Sequence, residues 1–276
     1  MNISKRAQLC ELSPMRKFHP YAVQAKAQGK KIYHLNIGQP DIATPPVYFE
    51  TVRNFNRSVL EYAESPGTPD LIEAVRRYYL GIGANYSASD ILITTGGSEA
   101  LNFLMMCILD AGDEVLVPEP FYPNYSTFIR AAEGVVRPIP TSPEEGYHYA
   151  DRDRIVAQIN DKTRAILVTN PSNPTGVTLT AEERRMLLDI AKEYGLYLIS
   201  DEVYREFAYN GEGLITMGTY EDGAENVVLI DSVSKRFSAC GARIGCIITK
   251  NSTLIGELLK FCQARLSVAT LDQAAA

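Results

Sequence analysis

The stretch DSVSKRFSACGARIG, at residues 231–245, directly follows the apolar run Val227–Ile230. Within this stretch, Lys235 lies three residues after Ser232 and eight residues before Arg243. A lysine amine that is held near other cations becomes a usable nucleophile, and it can form a Schiff base with an aldehyde. A serine and an arginine beside it are suited to hold a phosphate. Pyridoxal 5'-phosphate (PLP) carries both an aldehyde and a phosphate, so the stretch indicates a PLP site.

Seven β-rich runs alternate with helical patterns from residue 90 onward. Most of the runs are continuous in Val, Ile and Leu, which is typical of strands buried on both faces. Between them, Thr180 and Glu183 form a capping box at the start of a helix at Thr180–Tyr194, and Gly195 follows as a C-cap glycine. The alternation predicts an α/β fold, a three-layer α/β/α sandwich around a mostly parallel seven-stranded sheet. The predicted strands are Ile91–Thr95, Glu114–Pro118, Val135–Pro140, Ala165–Thr169, Tyr197–Ser200, Val227–Ile230 and Ile244–Thr249.

Residues 1–45 lack this alternation and are expected to form an N-terminal arm and connector, with residues 46–276 forming the main domain. Within the arm, a helix is predicted at Ser13–Gln28, and a turn-rich extended segment leads to Gly38. Prolines are favourable at the start of a helix and precede or open several predicted helices. Those of the main domain are near Val47–Ser58 and at Asp70–Leu80, Leu101–Leu109 and Thr180–Tyr194.

The last 26 residues, 251–276, have a helical pattern that reaches Ala276 without a glycine, asparagine or proline to stop it. We therefore expect that the chain ends in the middle of a helix.

Composition excludes several classes of function. The 276 residues are 46% hydrophobic and 22% charged, as in an ordinary globular protein. A net charge of −6 argues against nucleic acid or an anionic membrane as a partner. The apolar stretches are too short to span a bilayer, and residues 1–13 contain no apolar signal core. These features predict a cytoplasmic protein with a small-molecule substrate.

The five cysteines and three histidines show no metal-binding or disulfide spacing. No Cys-x-x-Cys pair occurs, and an odd, scattered set fits reduced thiols better than a disulfide framework. The histidines are isolated in sequence, so neither a zinc site nor a Ser-His-Asp triad gains support.

Five groups of polar or aromatic residues follow five different predicted strands. Ligands in open α/β sheets bind at the carboxyl ends of strands, so these groups are expected to meet. After the first strand, Gly97 and Ser98 open an apolar helix, whose free N–H groups attract phosphate, although a Gly-Gly pair is also a common tight turn. After the second, Tyr122 could stack on a flat heterocycle or simply pack against its neighbours.

The remaining groups supply an amide, a carboxylate and the lysine. The prolines of Asn170-Pro-Ser-Asn-Pro-Thr-Gly176 restrict the residues before them, so Asn173 points in a fixed direction and could donate to a phenolate oxygen. Asp201 ends a buried strand and needs a partner such as a protonated pyridine nitrogen. Tyr204, one helical turn further on, could reach the same phenolate as Asn173. The fifth group is the Lys235 stretch.

Together, these segments resemble the PLP-dependent fold type I aminotransferases of class I/II, the aspartate aminotransferase family. The resemblance runs from about Lys30 to the last residue, with every motif in the family's order. The combination of Asn-Pro-x-Asn-Pro-Thr-Gly with Ser-x-Ser-Lys and Gly-x-Arg-x-Gly is highly specific. It implies the large PLP-binding domain of this fold, with the C-terminal small domain largely absent. The segments that carry it are Gly96–Ala100, Asn170–Gly176, Asp201–Tyr204 and Ser232–Gly245.

The resemblance also implies a role for each candidate residue. Lys235 would form the internal aldimine, Asp201 would pair with the pyridine nitrogen, and Tyr122 would stack on the ring. Asn173 and Tyr204 would contact the phenolate oxygen. The phosphate would be held by Gly97, Ser98, Ser232 and Arg243, and the substrate would meet Gly38 and Asn173. Tyr62 resembles the tyrosine that is lent to the phosphate site of the neighbouring subunit, which implies a homodimer.

The resemblance predicts transfer of an amino group from an amino acid to a 2-oxo acid, with Lys235, Asp201 and Tyr204 as the catalytic residues. A PLP-dependent carbon–sulfur lyase on the same fold is an alternative, because the cofactor motifs do not separate the two reactions. A PLP-binding fragment with little activity is another, since the family's arginine for the substrate α-carboxylate lies in the C-terminal small domain. The glycine pattern around Gly97 is not that of a nicotinamide dehydrogenase.

Overall fold

Seven strands form one mixed sheet in the computed structural model, which describes residues 1–209, 211 and 215–276. The strand order is β1-β7-β6-β5-β4-β2-β3. Four strand pairs are parallel, and β7 runs antiparallel between β1 and β6. The strands are β1 Ile91–Thr94, β2 Glu114–Pro118, β3 Val135–Ile139, β4 Thr163–Thr169, β5 Tyr197–Asp201, β6 Val227–Ser232 and β7 Gly245–Ile248.

Helices cover both faces of the sheet, and the predicted three-layer α/β/α sandwich is confirmed. The helices are α1 Lys5–Leu9, α2 His19–Ala27, α3 Pro46–Asn54, α4 Pro69–Gly81, α5 Gly96–Ile108, α6 Asn124–Ala131, α7 Arg152–Val156, α8 Ala181–Tyr194, α9 Val233–Arg236, α10 Ser252–Arg265 and α11 Thr270–Ala275. Because side chains alternate along a strand, β6 sends Leu229 into a core with α4 and α8, and Ile230 into a core with α5, α6 and α10. We call these the α4 face and the α5 face.

The topology brings five strand ends together. Because β1 and β6 are both antiparallel to β7, the strands β1, β2, β4, β5 and β6 all point the same way. Their carboxyl ends form one edge of the sheet, which we call the carboxyl edge. The first residue of β7, Gly245, lies at the same edge, since that strand runs in the opposite direction. Loops after five strands and before a sixth can therefore contribute to a single cleft.

The predicted α8 is confirmed in detail. The Thr180 hydroxyl accepts from Glu183 N, the Glu183 carboxylate accepts from Thr180 N, and Gly195 ends the helix in the left-handed conformation. Several strand ends differ from prediction by one or two residues. Thr95 precedes α5 rather than ending β1, and both Asp201 and Ser232 belong to their strands.

Two predicted helices are interrupted. Within Ser13–Gln28, a short 3-10 turn at Pro14–Arg16 is followed by α2, which begins at His19. Pro20 explains the break, because its ring and missing N–H prevent continuation of a helix from the preceding turn. At the other end of the chain, α10 ends where Leu266 adopts a φ of 78°, and α11 then begins at Thr270.

The segment predicted to be an N-terminal arm is hydrogen-bonded to the rest of the chain near its start and near its end. Near its start, Cys10 donates to Thr127 O on α6. Near its end, Thr44 Oγ1 donates to Ser238 O at 2.6 Å, and Ser238 Oγ donates to Ile42 O at 2.7 Å. These reciprocal bonds hold the arm over the loop that follows α9. Within the described ranges, no helix is long and apolar enough to cross a membrane, and no cluster of three or more His, Cys, Asp or Glu side chains could hold a metal.

Candidate active site

Lys235 lies at the carboxyl edge, where β6 passes into the single turn of α9. Its side chain is half-buried, and Nζ donates a hydrogen bond of 2.7 Å to the carbonyl oxygen of Gly38 in the N-terminal arm. Nζ also lies 5.8 Å from the ring centroid of Tyr204. The structure therefore brings three of the predicted site residues together, and places the amine between the arm and the loop after β5.

Asp201 is the last residue of β5, and only 6% of its surface is exposed. Tyr125 donates to Oδ2 at 2.6 Å, and Val203 N donates to Oδ1 at 3.3 Å. Burial raises the pKa of this carboxyl to about 6, with a smaller contribution from the negative charges of Asp231 and Glu202, while the two hydrogen bonds act in the opposite direction. In the part of the chain that the structure describes, no lysine or arginine pairs with this carboxylate. A buried carboxylate in that position suits a cationic partner.

Tyr204 lies close to both Lys235 and Gly38. Its side chain is half-buried, and burial together with the nearby Asp201 charge raises the pKa of its hydroxyl to about 12. The hydroxyl remains a proton donor at neutral pH. A Cβ atom added to Gly38 would lie 3.2 Å from this hydroxyl oxygen, so the arm approaches the tyrosine closely.

Tyr122 follows β2 and is half-buried. Its ring contacts that of Tyr125 edge-on, with the centroids 5.4 Å apart, and its hydroxyl accepts from Asn124 Nδ2 at 2.7 Å. Burial raises the pKa of the Tyr122 hydroxyl, and the Asp201 charge adds to this effect. Tyr122 is thus close enough to Asp201 for the two to interact electrostatically.

The predicted phosphate ligands meet around the start of α5. In the sheet register, Gly245 pairs with Thr94 on one side and with Ser232 on the other, which sets the Gly96–Ser98 turn beside Ser232. Gly97 and Ser98 lie in the first turn of α5, whose N-terminus carries no side-chain cap. Such a helix start has free N–H groups that favour an anion.

Arg243 reaches the same turn. The guanidinium lies so close to Gly96 that a Cβ atom there would collide with it, and Nη1 donates to Cys240 O at 3.1 Å. The turn at Gly96 also needs a φ of 70°, which glycine adopts readily. The opposite direction of β7 explains how a residue eight positions after Lys235 returns to the carboxyl edge.

The loop after β4 has a fixed shape. Asn170 Oδ1 accepts from Leu179 N at 3.0 Å, and Ser172 N donates to Val177 O at 2.8 Å. Asn173 is half-buried and lines a small cavity that Tyr125 and Thr169 also line. Asn173 therefore lies near Tyr125, the hydrogen-bond donor to Asp201.

Tyr62 has no contact with the other predicted site residues. Its side chain is 80% exposed, and it makes no hydrogen bond or ring contact within the described ranges.

The sequence prediction missed Tyr125 and Thr169, whose hydroxyls meet at 2.7 Å beside Asp201. Tyr125 lies in the first turn of α6, three residues after Tyr122, and this closeness in sequence could have revealed it. The prediction also missed four ionised residues on the α4 face, which we call the buried ion network: Glu202, Arg205, Asp231 and Arg236.

The chain is similar to known aminotransferases. A family model for class I and II aminotransferases matches residues 30–276. The aspartate/prephenate aminotransferase of Thermus thermophilus is 33% identical over 245 residues, which cover 88% of this chain and 63% of that protein. The (5-formylfuran-3-yl)methyl phosphate transaminase of Methanocaldococcus jannaschii is 32% identical, covering 99% of this chain and 71% of that protein.

Solved structures of aminotransferases have the same fold as this chain. The aspartate aminotransferase of Thermus thermophilus with maleate superposes with a TM-score of 0.92 at 31% identity, over the whole of this chain and 72% of that one. This chain spans about 63% of the length of the Thermus aspartate/prephenate relative. With a family model matched from residue 30 to residue 276 and a shared fold over the full chain, the protein belongs to the class I and II aminotransferase family.

Proposed function

We propose that this protein binds PLP covalently through Lys235 and transfers an amino group from an amino acid to a 2-oxo acid. The observation that carries the proposal is the buried Asp201 carboxylate, which lacks a cationic partner within the described ranges and shares a cleft with Lys235 and Tyr204. Membership of a PLP-dependent family supports the choice of cofactor.

The described residues fit PLP group by group. Asp201 would pair with the ring nitrogen, and Tyr122 would contact the ring face. Tyr204 and Asn173 would donate to the phenolate oxygen. The phosphate would be held at the start of α5 and by the side chains that surround it, Gly97, Ser98, Ser232 and Arg243. A carboxylate is complementary to the ring nitrogen, hydrogen-bond donors are complementary to the phenolate oxygen, and an anion cradle is complementary to the phosphate.

The chain's own residues have distinct tasks in the proposed reaction. When bound, PLP supplies an electron sink for the charge left as a proton leaves the substrate Cα. Asp201 keeps a positive charge on the ring nitrogen, which strengthens that effect. Once the substrate amine has displaced it, the Lys235 amine would act as the general base. It would accept the proton from the substrate Cα and deliver it to the aldehyde carbon of the cofactor. Gly38, whose carbonyl already contacts Nζ, would border the substrate.

We further propose a homodimer in which Tyr62 reaches the phosphate site of the partner. The exposure of Tyr62 and of its neighbours Val59 and Leu60 supports this, because exposed apolar clusters mark interaction sites. Sedimentation velocity over a range of protein concentrations would test the dimer, and a monomer at all of them would contradict it. Free cysteines throughout the described chain support a cytoplasmic location.

The substrates are proposed only as a class. The relatives named above act on different compounds, aspartate or prephenate in one name and a furan phosphate in another. The shared chemistry is exchange between an amine and a carbonyl compound, and we propose an amino acid and a 2-oxo acid for this protein.

Borohydride reduction in the presence of PLP, followed by peptide mapping, tests the central step. The label is expected on Lys235, and a label on Lys250, Lys260 or another lysine would refute the proposed site. Amino acids supplied one at a time should then convert bound PLP to its amine form. Release of ammonia together with pyruvate would instead identify a carbon–sulfur lyase.

A further inference from the structure

The helix α9, which carries Lys235, is too short to keep its orientation without contacts to the rest of the fold. The helix α9 has four residues, and a helix of one turn is not stable without tertiary contacts. The direction of the Lys235 side chain therefore depends on what holds α9 at its two ends. At the start, Ser232 Oγ accepts from Ser234 N at 3.3 Å.

The end of α9 is held by an ion pair between Arg236 and Asp231, which belongs to β6. Arg236 Nη2 donates to Asp231 Oδ2 at 2.5 Å, so the pair closes a loop of chain that contains both Ser232 and Lys235. The Arg236 side chain is 12% exposed, Nε lies 3.2 Å from Glu206 Oε1, and the guanidinium carbon lies 4.1 Å from the Tyr78 ring centroid. Contacts on several sides leave this guanidinium little freedom.

Asp231 is itself anchored. Its Oδ2 also accepts from Tyr79 Oη and from Arg205 Nη2, both at 2.9 Å. Arg205 is 1% exposed and pairs with Glu202 as well. The Asp231–Arg236 pair thus belongs to a larger network of ion pairs that is connected to α4 through Tyr79.

Strand alternation separates the network from the cleft. Asp201 and Ser232 face the α5 side, and the Asp231 side chain points to the α4 side. Each network residue is next in sequence to a predicted site residue. Glu202 follows Asp201, Arg205 follows Tyr204, Asp231 precedes Ser232, and Arg236 follows Lys235. The network is therefore placed to hold these backbone positions from the α4 face, away from the cleft.

We propose that Arg236 is a positioning residue, which directs the Lys235 amine into the cleft by closing the ion pair with Asp231 across α9. The proposal rests on the proposed role of Lys235 as the PLP-binding lysine. A displacement of about 1 Å at a reacting group can lower its effectiveness by roughly 100-fold, so a loosened α9 should be detectable.

The test compares Arg236→Met with Arg236→Lys and with Arg164→Met. Arg164 pairs with Asp113 at 3.0 Å near the start of β4, at the opposite end of the sheet, and controls for the general loss of an arginine ion pair. The measurements are the PLP dissociation constant, the share of borohydride label on Lys235, and thermal unfolding without PLP. Labelling is carried out at a temperature where circular dichroism shows each variant to be folded.

Arg236→Met is expected to weaken PLP binding by roughly 10- to 100-fold and to move label from Lys235 to other lysines. Arg236→Lys, which keeps a cation beside Asp231, should recover most of the Lys235 label. Arg164→Met should bind and label as wild type. Wild-type labelling in Arg236→Met, equal losses in the Arg164 control, or no recovery in Arg236→Lys would each overturn the proposal.

The double variant Asp231→Asn/Arg236→Met covers the case in which the single variant does not fold. It removes the pair without leaving Asp231 charged and short of a cation, and Arg205 keeps Glu202 as its partner. The same loss of Lys235 label is expected, and wild-type labelling would overturn the proposal. Failure of the wild-type protein to label Lys235 would instead refute the proposed function.

Discussion

Tyr125 donates a 2.6 Å hydrogen bond to Asp201 Oδ2, and the two residues come from α6 and from the end of β5. Both side chains are buried, and the same hydroxyl also meets Thr169 Oγ1. Burial alone would favour a protonated Asp201, whereas this hydrogen bond favours the carboxylate. Tyr125 thereby helps to keep Asp201 ionised at neutral pH, the state that the proposed partnership with a pyridinium nitrogen requires.

Replacing Tyr125 by Phe should raise the pKa of Asp201 above its value of about 6, because the hydrogen bond that lowers it is lost. A hydrogen bond to a charged group contributes about 1.5–3 kcal/mol, so the ionised fraction of Asp201 should fall and PLP should bind roughly 2- to 15-fold more weakly at pH 7. The loss should diminish as the pH rises and Asp201 ionises again. The measurement is the PLP dissociation constant between pH 6 and pH 9.

Tyr149→Phe is the control for Tyr125→Phe. Tyr149 is also buried, but its hydroxyl has no hydrogen-bond partner among the described residues. It should leave the pH profile of PLP binding unchanged. If Tyr125→Phe also keeps the wild-type profile, the hydrogen bond does not control the ionisation of Asp201.

Asp201 should make the protein without PLP less stable as the pH rises. The pKa in the folded state is about 6, above the usual 3.8, so the folded state holds the proton more tightly than the unfolded state between these values. The free energy of unfolding therefore falls through this window, by about 3 kcal/mol from this group.

The measurement is urea unfolding of wild type and Asp201→Asn between pH 4 and pH 7. The stability of wild type relative to the variant should fall as the pH rises, because asparagine does not titrate. Saturating PLP should reduce this fall in the wild-type protein, since a cationic ring nitrogen stabilises the carboxylate. A constant difference across the range would show that Asp201 is not the buried titrating group.

The part of this site that the sequence could predict is the part that depends on strand ends. Lys235, Asp201 and Asn173 each follow a run of Val, Ile and Leu, and parallel strands place their carboxyl ends at one edge. The direction of each strand and the composition of the loop after it are enough to predict that these three residues lie at this edge. Arg243 needed more, because its return to the edge depends on the antiparallel direction of β7.

Contacts between distant segments could not be predicted. Tyr79 and Asp231 are 152 residues apart, and no spacing in the sequence links them. Pairing within the buried ion network depends on how α4 packs against β6. Pro20 is a signal for the break before α2, but the residues on both sides of it have a helical pattern. Long-range packing and the competition between local signals therefore account for what was missed.

Lys235→Ala should abolish borohydride-stable attachment of PLP at this position. Loss of proton transfer alone should reduce any transamination by at least about 10²- to 10⁴-fold. The control is Lys260→Ala, which removes an exposed lysine on α10 that pairs with Glu257. The measurements are peptide mapping and the rate at which an amino acid converts bound PLP to its amine form. Substantial turnover in Lys235→Ala would mean that another group accepts the Cα proton.

Gly245→Ala should disturb the start of α5 from the neighbouring strand. A Cβ atom at Gly245 would lie 2.6 Å from Gly96 C and 2.7 Å from Gly97 N, and backbone at this distance has to move. Overpacking of this kind lowers the free energy of unfolding by about 1–3 kcal/mol. It should also shift the N–H groups proposed to hold the phosphate, and weaken PLP binding by about tenfold or more, equivalent to about 1.4 kcal/mol. Gly241→Ala is the matched control, because a Cβ atom there has no neighbour within 4 Å. Urea unfolding and PLP titration of both variants would measure the two effects. Equal affinities of Gly245→Ala and Gly241→Ala for PLP would show that the spacing between β7 and the Gly96–Ser98 turn does not affect phosphate binding.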